Sequence, residues 1–311
     1  MTTRVAAIDC GTNSIRLLVA DLPDDPDGSL TDVVRRMEIV RLGQDVDRTG
    51  RLAPEAIERT RVALADYAGQ IRALDVAEVR MVATSASRDA ANADEFRAMV
   101  LDTLGAPPEV VTGDEEASLS FAGAVRGMPA DTSRPYLVVD IGGGSTEFVL
   151  GTTRPELARS VDIGCVRLTE RHLRADPPTV AQIQAAEADI VAAADGALAA
   201  VDGSRARTLI GLAGSVTTVV GIALGLDAYR PERIHQARTS YAEVARVTAD
   251  LLAMTRAQRL TLPVMHPGRA DVIGAGALIL RILMERAGAD SVVASEHDIL
   301  DGIAYSVVSR T

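Results

Sequence analysis

Val138-Val139-Asp140-Ile141-Gly142-Gly143-Gly144-Ser145-Thr146-Glu147-Phe148-Val149-Leu150 is an apolar run that ends on a carboxylate, turns through glycines and resumes as alternating polar and apolar residues. The pattern predicts a strand, a tight turn and a second strand. Glycines leave the backbone N–H groups of such a turn uncovered, which suits phosphate oxygens. Asp140 and Glu147 flank the turn with negative charge. Carboxylates beside a phosphate repel it unless a cation lies between them, so the pair reads as oxygen ligands, direct or through water, for a hard ion such as Mg²⁺. Taken singly, the stretch is also compatible with a glycine-rich hairpin that binds nothing.

A second copy lies near the start of the chain. Val5-Ala6-Ala7-Ile8-Asp9-Cys10-Gly11-Thr12-Asn13-Ser14-Ile15-Arg16-Leu17-Leu18-Val19-Ala20 repeats the scheme of strand, Asp-x-Gly, small polar turn and strand. The copies lie about 130 residues apart, which predicts two related halves, each with a phosphate-binding hairpin. Two hairpins facing each other across a cleft would grip a phosphate chain from both sides.

Composition narrows the chemistry. A chain of 311 residues can build two domains with their own cores, and 47% hydrophobic with 3% aromatic content makes those cores Ala, Val, Leu and Ile. No run of about 18 uncharged apolar residues is present, and Met1-Thr2-Thr3-Arg4 leads into a strand instead of a signal peptide. The expectation is a soluble cytoplasmic protein with no membrane partner. Cys10 and Cys165 form no disulfide framework and fit as small buried thiols, and His172, His235, His266 and His297 lack metal-ligand spacing. All 32 basic residues are arginine, which excludes a Walker-type phosphate loop and a Schiff-base enzyme, both of which need lysine. A net charge of −11 argues against nucleic acid as a partner. A polyanionic substrate remains compatible with it if arginines and a metal are concentrated locally.

Along the chain, strands are expected over residues 4–9, 14–21 and from Val33 to Val40, with Pro23-Asp24-Asp25-Pro26-Asp27-Gly28 as a solvated turn. Pro54 opens a helix whose inner face carries Ile57, Leu64, Tyr67, Ile71 and Leu74. A buried strand over 78–83 leads into Thr84-Ser85-Ala86-Ser87-Arg88, which is either a plain connection or a phosphate clamp built on Arg88. Thr112-Gly113-Asp114-Glu115-Glu116 caps a further helix. Its acids either serve the helix dipole or present one carboxylate as a base toward water, and the pattern does not rank Glu116 over Glu115. Residues 129–135 are the expected crossing between domains. Beyond the organising hairpin come a strand over 156–161, a helix entered through Asp162–Thr169 on which Arg167 either reaches substrate or lies on the surface, and an alanine-rich helix over 180–201. A strand from Thr208 ends in Gly214-Ser215 at a helix start, a ready anion site or a close packing contact. An apolar helix beginning at Gly268, a strand over 291–294 and a helix over 298–309 close the chain.

Taken together, Asp9-x-Gly-Thr-Asn-Ser, Thr84-Ser-Ala-x-Arg88, Gly-x-Glu-Glu116-Ala, Asp140-Ile-Gly-Gly-Gly-Ser-Thr-Glu147, Gly-Leu-Ala-Gly214-Ser215 and Arg269-Ala-Asp271 resemble, in order and spacing, the exopolyphosphatase/guanosine pentaphosphate phosphohydrolase family in its short two-domain form. The resemblance implies α/β architecture with duplicated actin/Hsp70/sugar-kinase-like, ribonuclease H-like domains, each with a five-stranded mixed sheet, and an active site in the cleft between them. Domain I would cover 1–125, with the helix over 298–311 packing back on it, and domain II 126–311. Glu116 aligns with the family's catalytic base. Asp140 and Glu147 align with the metal carboxylates, and Asp9 is a weaker, water-mediated ligand. Thr12, Asn13, Ser14, Arg88, Gly142, Gly143, Gly144, Ser145, Gly214 and Ser215 would hold phosphates. The implied activity is Mg²⁺-dependent, with Mn²⁺ as the alternative, and releases orthophosphate from inorganic polyphosphate. The alternatives are removal of the 5′ γ-phosphate of guanosine pentaphosphate, an ATP-dependent sugar or acetate kinase, or a nonenzymatic actin-like nucleotide-binding protein. The resemblance leaves room for a homodimer.

Overall fold

The computed structural model describes residues 3–23 and 28–308, so Asp24, Asp25, Pro26 and Asp27 of the acidic turn lie outside the described residues. The chain divides into two compact units, Met1–Gly127 with Ile299–Thr311, and Met128–Asp298.

In the first unit, β1 (Thr3–Cys10), β2 (Ser14–Leu22) and β3 (Thr31–Ile39) form an antiparallel meander. It is followed by α1 (Val46–Thr49), α2 (Pro54–Ala73), β4 (Glu78–Ala83), α3 (Ser85–Asp89), α4 (Ala93–Leu104), β5 (Glu109–Val110) and α5 (Gly113–Val125). The described strands make a five-stranded sheet in the order β3-β2-β1-β4-β5, with β4 and β5 parallel to β1. Side chains alternate across a strand, and β1 is buried on both faces. Ala6, Ile8 and Cys10 enter a core with Leu64, Tyr67 and Ile71 of α2 and Phe96 and Val100 of α4. Val5 and Ala7 enter a second core with Ile299, Leu300, Ile303 and Ala304 of the C-terminal helix, Ile299–Val308. Burial on both faces is the reason β1 reads as a continuous apolar run.

The second unit contains β6 (Tyr136–Ile141), β7 (Thr146–Gly151), β8 (Pro155–Val161), α6 (Cys165–Arg171), α7 (Val180–Ala200), β9 (Thr208–Leu212) and α8 (Ala213–Ala223). It continues through α9 (Pro231–Ile234), β10 (Arg238–Ser240), α10 (Tyr241–Ala253), α11 (Arg256–Arg259), α12 (Ile273–Arg286) and β11 (Ser291–Ala294). Its described strands run β10-β11-β9-β6-β7-β8. Both units follow one scheme: three antiparallel strands, then two strands parallel to the first. The expectation of five strands holds for the first sheet and needs correcting for the second, which has six. The sixth is the three-residue β10 paired antiparallel to β11, too short to show an alternation in the sequence.

Three other boundaries differ from expectation. α12 starts at Ile273 instead of Gly268, because Pro267–Arg269 forms a separate 3₁₀ turn whose Gly268 N–H donates to His266 Nδ1 at 3.2 Å. The stretch over 84–90 carries its own short helix, α3. The spacing of Val244, Val247, Leu251 and Met254 predicts an amphipathic helix that includes Met254, whereas Met254 is the residue that caps the end of α10.

This topology brings the carboxyl ends of β1, β4 and β5 to one edge of the first sheet, and those of β6, β9 and β11 to one edge of the second. Ligand contacts in open α/β sheets gather at such edges.

The C-terminal helix is tied to the first sheet by an ion pair as well as by its apolar face. Asp301, buried, accepts from Arg35 of β3 at 2.6 and 3.3 Å, and Arg35 also donates to Asp32 at 2.7 Å. Removing one member of a buried pair leaves the other in a poorly solvated place. Because Arg35 keeps Asp32, Asp301→Asn is expected to lower stability by about 1–3 kcal/mol, read from urea unfolding midpoints, less than the full cost of breaking a buried pair.

Candidate active site

The residues singled out in the sequence fall into two clusters, one in each unit, each at the carboxyl edge of its sheet. In the first, the β1–β2 hairpin closes with Gly11 N–H donating to Ser14 O at 2.9 Å. The Thr12-Asn13 turn is fastened by the segment after β3: Val40 and Arg41 N–H groups donate to Asn13 O, and Gly43 N–H to Thr12 O. A Cβ on Gly43 would stand 2.4 Å from Thr12 Cγ2, so this approach admits only glycine. Thr84 N–H donates to Cys10 O at 3.2 Å, placing the Thr84–Arg88 segment beside the same turn.

Glu116 enters from α5. Thr112 caps that helix, its hydroxyl accepting from Glu115 N–H, as the sequence pattern indicates. The two acids then part. Glu115, with a side chain 42% exposed, binds Arg80 at 3.0 Å. Glu116, 8% exposed, faces Arg88, whose Nη1 donates to Glu116 Oε2 at 3.2 Å and to Val111 O at 2.8 Å. The two adjacent glutamates thus have different partners: Glu115 pairs with Arg80, and Glu116 is the carboxylate held next to the arginine of the Thr84–Arg88 segment.

In the second unit the Gly142–Ser145 turn closes with Gly142 N–H donating to Ser145 O at 3.0 Å, the counterpart of the Gly11 bond, and its orientation is set by α6. Gly142 O accepts from Cys165 N–H, Gly143 O from Val166 and Arg167 N–H, and Gly144 O from Arg167 Nε at 2.8 Å. A trans peptide points its C=O and its N–H in opposite directions. With the carbonyls of 142, 143 and 144 turned to α6, the N–H groups of Gly143, Gly144 and Ser145 face away from it, as an oxyanion requires. The sequence leaves Arg167 as a substrate contact or a surface residue; the structure gives it a third part, largely buried with its Nε holding Gly144 O. Nothing in the sequence singles out Gly164. A Cβ there would lie 2.3 Å from the Gly143 carbonyl group, which puts the start of α6 in backbone contact with the turn.

Gly214 and Ser215 open α8 behind Ala213, a non-glycine residue at φ 66°. A Cβ on Gly214 would meet the Arg269 guanidinium at 2.0 Å, and Arg269 Nη1 donates to Thr218 Oγ1 at 2.8 Å. Arg269 therefore lies against the Gly214 turn, a placement that its motif in the sequence does not specify. Ser215 abuts Gly276 of α12 and Cys165 of α6. Burial raises the thiol pKa of both Cys10 and Cys165, which disfavours the thiolate at either position.

The hairpins differ in one decisive position. In β1–β2, Asp9 stands opposite Arg16, whose Nε and Nη2 donate to Asp9 Oδ2 at 2.9 and 2.7 Å. In β6–β7, Asp140 stands opposite Glu147 in the same register. Asp140 is 7% and Glu147 1% exposed, and the Ser160 hydroxyl donates to Glu147 Oε1 at 2.7 Å. Like charges directly opposed across a ladder destabilise it, more so when buried. The second hairpin thus places a carboxylate where the first supplies a cation of its own, a donor set that fits a hard divalent ion. Among the described residues no group of three or more His, Cys, Asp and Glu side chains is arranged to hold a metal by itself.

Two mixed sheets of one strand scheme, each carrying an Asp-x-Gly hairpin at its carboxyl edge, define the class of duplicated actin/Hsp70-like folds. The Ppx/GppA phosphatase family model matches residues 23–311, and the chain belongs to that family. It is 53% identical over 315 residues to Exopolyphosphatase 2 of Mycobacterium tuberculosis, covering 98% of both chains. The crystal structure of an exopolyphosphatase-like protein superposes with a TM-score of 0.94 at 45% identity, covering 98% of this chain and 97% of that one. The Aquifex aeolicus member of the Ppx/GppA family superposes at 0.81 with 30% identity, covering 100% and 99%. The family is generally dependent on a divalent metal. Among the described residues no helix is long and apolar enough to cross a membrane.

Two glycines separate backbone from side-chain constraint. Gly164→Ala presses on backbone, and is expected to cost more than tenfold in kcat/KM. The three atoms nearest a Cβ on Gly214 all belong to the end of a flexible arginine, so Gly214→Ala combined with Arg269→Ala should be no worse than Arg269→Ala alone in the same phosphate-release assay.

Proposed function

We propose that this chain is an exopolyphosphatase that hydrolyses the terminal phosphoanhydride bond of inorganic polyphosphate and releases orthophosphate. The end-to-end likeness to a mycobacterial exopolyphosphatase carries the substrate. The chemistry is supported by the opposed Asp140 and Glu147 at a turn whose N–H groups face outward.

In this reading Asp140 and Glu147 hold a divalent cation, Mg²⁺ with Mn²⁺ as the alternative, and Asp9 reaches it only through water because Arg16 already engages its carboxylate. When bound, the cation would offset the charge on the phosphate oxygens. The N–H groups of Gly143, Gly144, Ser145, Gly214 and Ser215 donate to the phosphates, as do the hydroxyls of Thr12, Ser14 and Ser145 and the Asn13 amide. Gly142 contributes by shape, since its N–H already closes the turn on Ser145 O. Arg88 orients Glu116 and adds positive charge. Glu116 accepts a proton from water as the water oxygen bonds to the terminal phosphorus. The bridging P–O bond breaks in line, and its electron pair leaves with the shortened chain. Phosphoryl transfer asks a protein mainly for placement and charge stabilisation, so these parts suffice without lysine.

The family name also covers guanosine pentaphosphate hydrolases, and the same site could remove the 5′ γ-phosphate of that nucleotide. Competition among long polyphosphate, tripolyphosphate and the nucleotide decides between them, and the reading requires the highest specificity constant for a polyphosphate.

Glu116→Gln is expected to lower kcat by roughly 10²–10⁴ with KM near that of the parent, as for loss of a general base. Chelation of divalent ions should abolish phosphate release and Mg²⁺ restore it, while Asp140→Asn and Glu147→Gln should raise the Mg²⁺ concentration needed for half-maximal rate by at least about tenfold. Phosphate release that survives chelation would remove the carboxylate pair from the mechanism.

A further inference from the structure

We propose that Arg80 and Gly302 are positioning residues that fix the rotation and depth of α5, and with them the location of Glu116. The inference rests on the reading of Glu116 as the base.

Rotation is set through the neighbouring glutamate. Successive residues of a helix lie about 100° apart around its axis, so a clamp on Glu115 decides where Glu116 points. A glutamate in the first turn of a helix is ordinarily left to water and the helix dipole. Glu115 is instead bound by Arg80, whose side chain is only 5% exposed. Every arm of that guanidinium is used: Nε and Nη2 donate to Glu109 at 3.2 and 2.8 Å, Nη2 also to Glu115 at 3.0 Å, and Nη1 to the Ser306 hydroxyl at 2.6 Å. Ser306 in turn donates its O–H to Ile303 O. A buried cation is tolerated only when compensated in this way. The result is that β4, β5, the first turn of α5 and the C-terminal helix share one fork, and Glu116 is delivered to Arg88 on the adjoining face.

Depth is set by a backbone contact. A Cβ on Gly302 would lie 2.0 Å from Leu119 O, 2.7 Å from its carbonyl carbon and 3.1 Å from its Cα. The C-terminal helix therefore lies directly on the backbone of α5, one turn beyond Glu116. Backbone cannot swing aside as a side chain can, so a methyl group there must push α5 by something on the order of 1 Å, a displacement that can cost about 10² in rate when it reaches a catalytic group. Arg80 and Gly302 act on Glu116 through the helix that carries it.

The test is steady-state phosphate release from long polyphosphate with Mg²⁺ by the full chain and its variants Glu115→Gln, Arg80→Met, Arg80→Lys, Gly302→Ala and Glu116→Gln. Glu115→Gln alters a partly exposed side chain and leaves the core alone, so it isolates the clamp from folding. It should lower kcat by about 3–10-fold with KM within about twofold of the parent, a loss confined to the chemical step. Gly302→Ala should lower kcat by about 10–100-fold, again with little change in KM. Arg80→Lys, which keeps the charge and one donor, should recover several-fold of the kcat lost in Arg80→Met. Parent-like kcat in Glu115→Gln beside an inactive Glu116→Gln overturns the inference and leaves the base assignment standing. The inference also falls if KM rises in step with every loss of kcat, or if Arg80→Lys is no better than Arg80→Met. Parent-like turnover in Glu116→Gln itself overturns the base assignment and the inference together.

Discussion

Two carboxylates, Asp140 and Glu147, face each other across neighbouring strands in a place almost closed to water. Electrostatics makes that arrangement unfavourable by itself, and much of the second unit can be understood as the surroundings that make it useful. The turn joining the strands must offer donors and no bulk, which glycine does. Flexible glycines must also be prevented from turning their carbonyls toward an incoming anion, and α6 does this by drawing three successive carbonyls onto its first N–H groups and onto Arg167. Gly164 permits the approach because it carries no Cβ.

The first unit has the same strand scheme and solves the charge problem differently. Its aspartate meets Arg16 instead of a second carboxylate, so that hairpin carries its own counter-charge. The carboxylate proposed as the base is supplied from elsewhere, at the head of α5, and is held by Arg88 in the last turn of α3. The two hairpins differ at one cross-strand position, Arg in one copy against Glu in the other, so that one pairs its aspartate with a cation and the other sets it opposite a second carboxylate. A polyanionic substrate fits this division of labour even in a protein whose net charge is −11, because screening confines the global field while contacts at hydrogen-bond distance are not screened.

Much of this architecture is legible along the chain. Strands β1, β2, β6 and β7, the glycine turns, the helix opened by Pro54 and the Thr112 cap all rest on signals spanning a few residues, namely alternation, turn composition and capping. The features that are not legible share one property: their partners are far apart in sequence. Arg167 reaches back 23 residues to Gly144. Arg80 joins Glu115, 35 residues on, to Ser306, 226 residues on. The short β10 is a strand only because β11, some fifty residues later, offers it an edge.

By itself the sequence determined the duplicated hairpins, the α/β class and the family, and it picked out the residues proposed to handle phosphate, because local periodicity and residue chemistry are properties of neighbours. Tertiary structure decided which of two adjacent glutamates stands beside Arg88, which residue faces each hairpin aspartate across the ladder, and which arginines are spent on holding backbone. Each of those outcomes depends on what lies opposite a side chain in space, and packing of distant segments, not spacing along the chain, sets that.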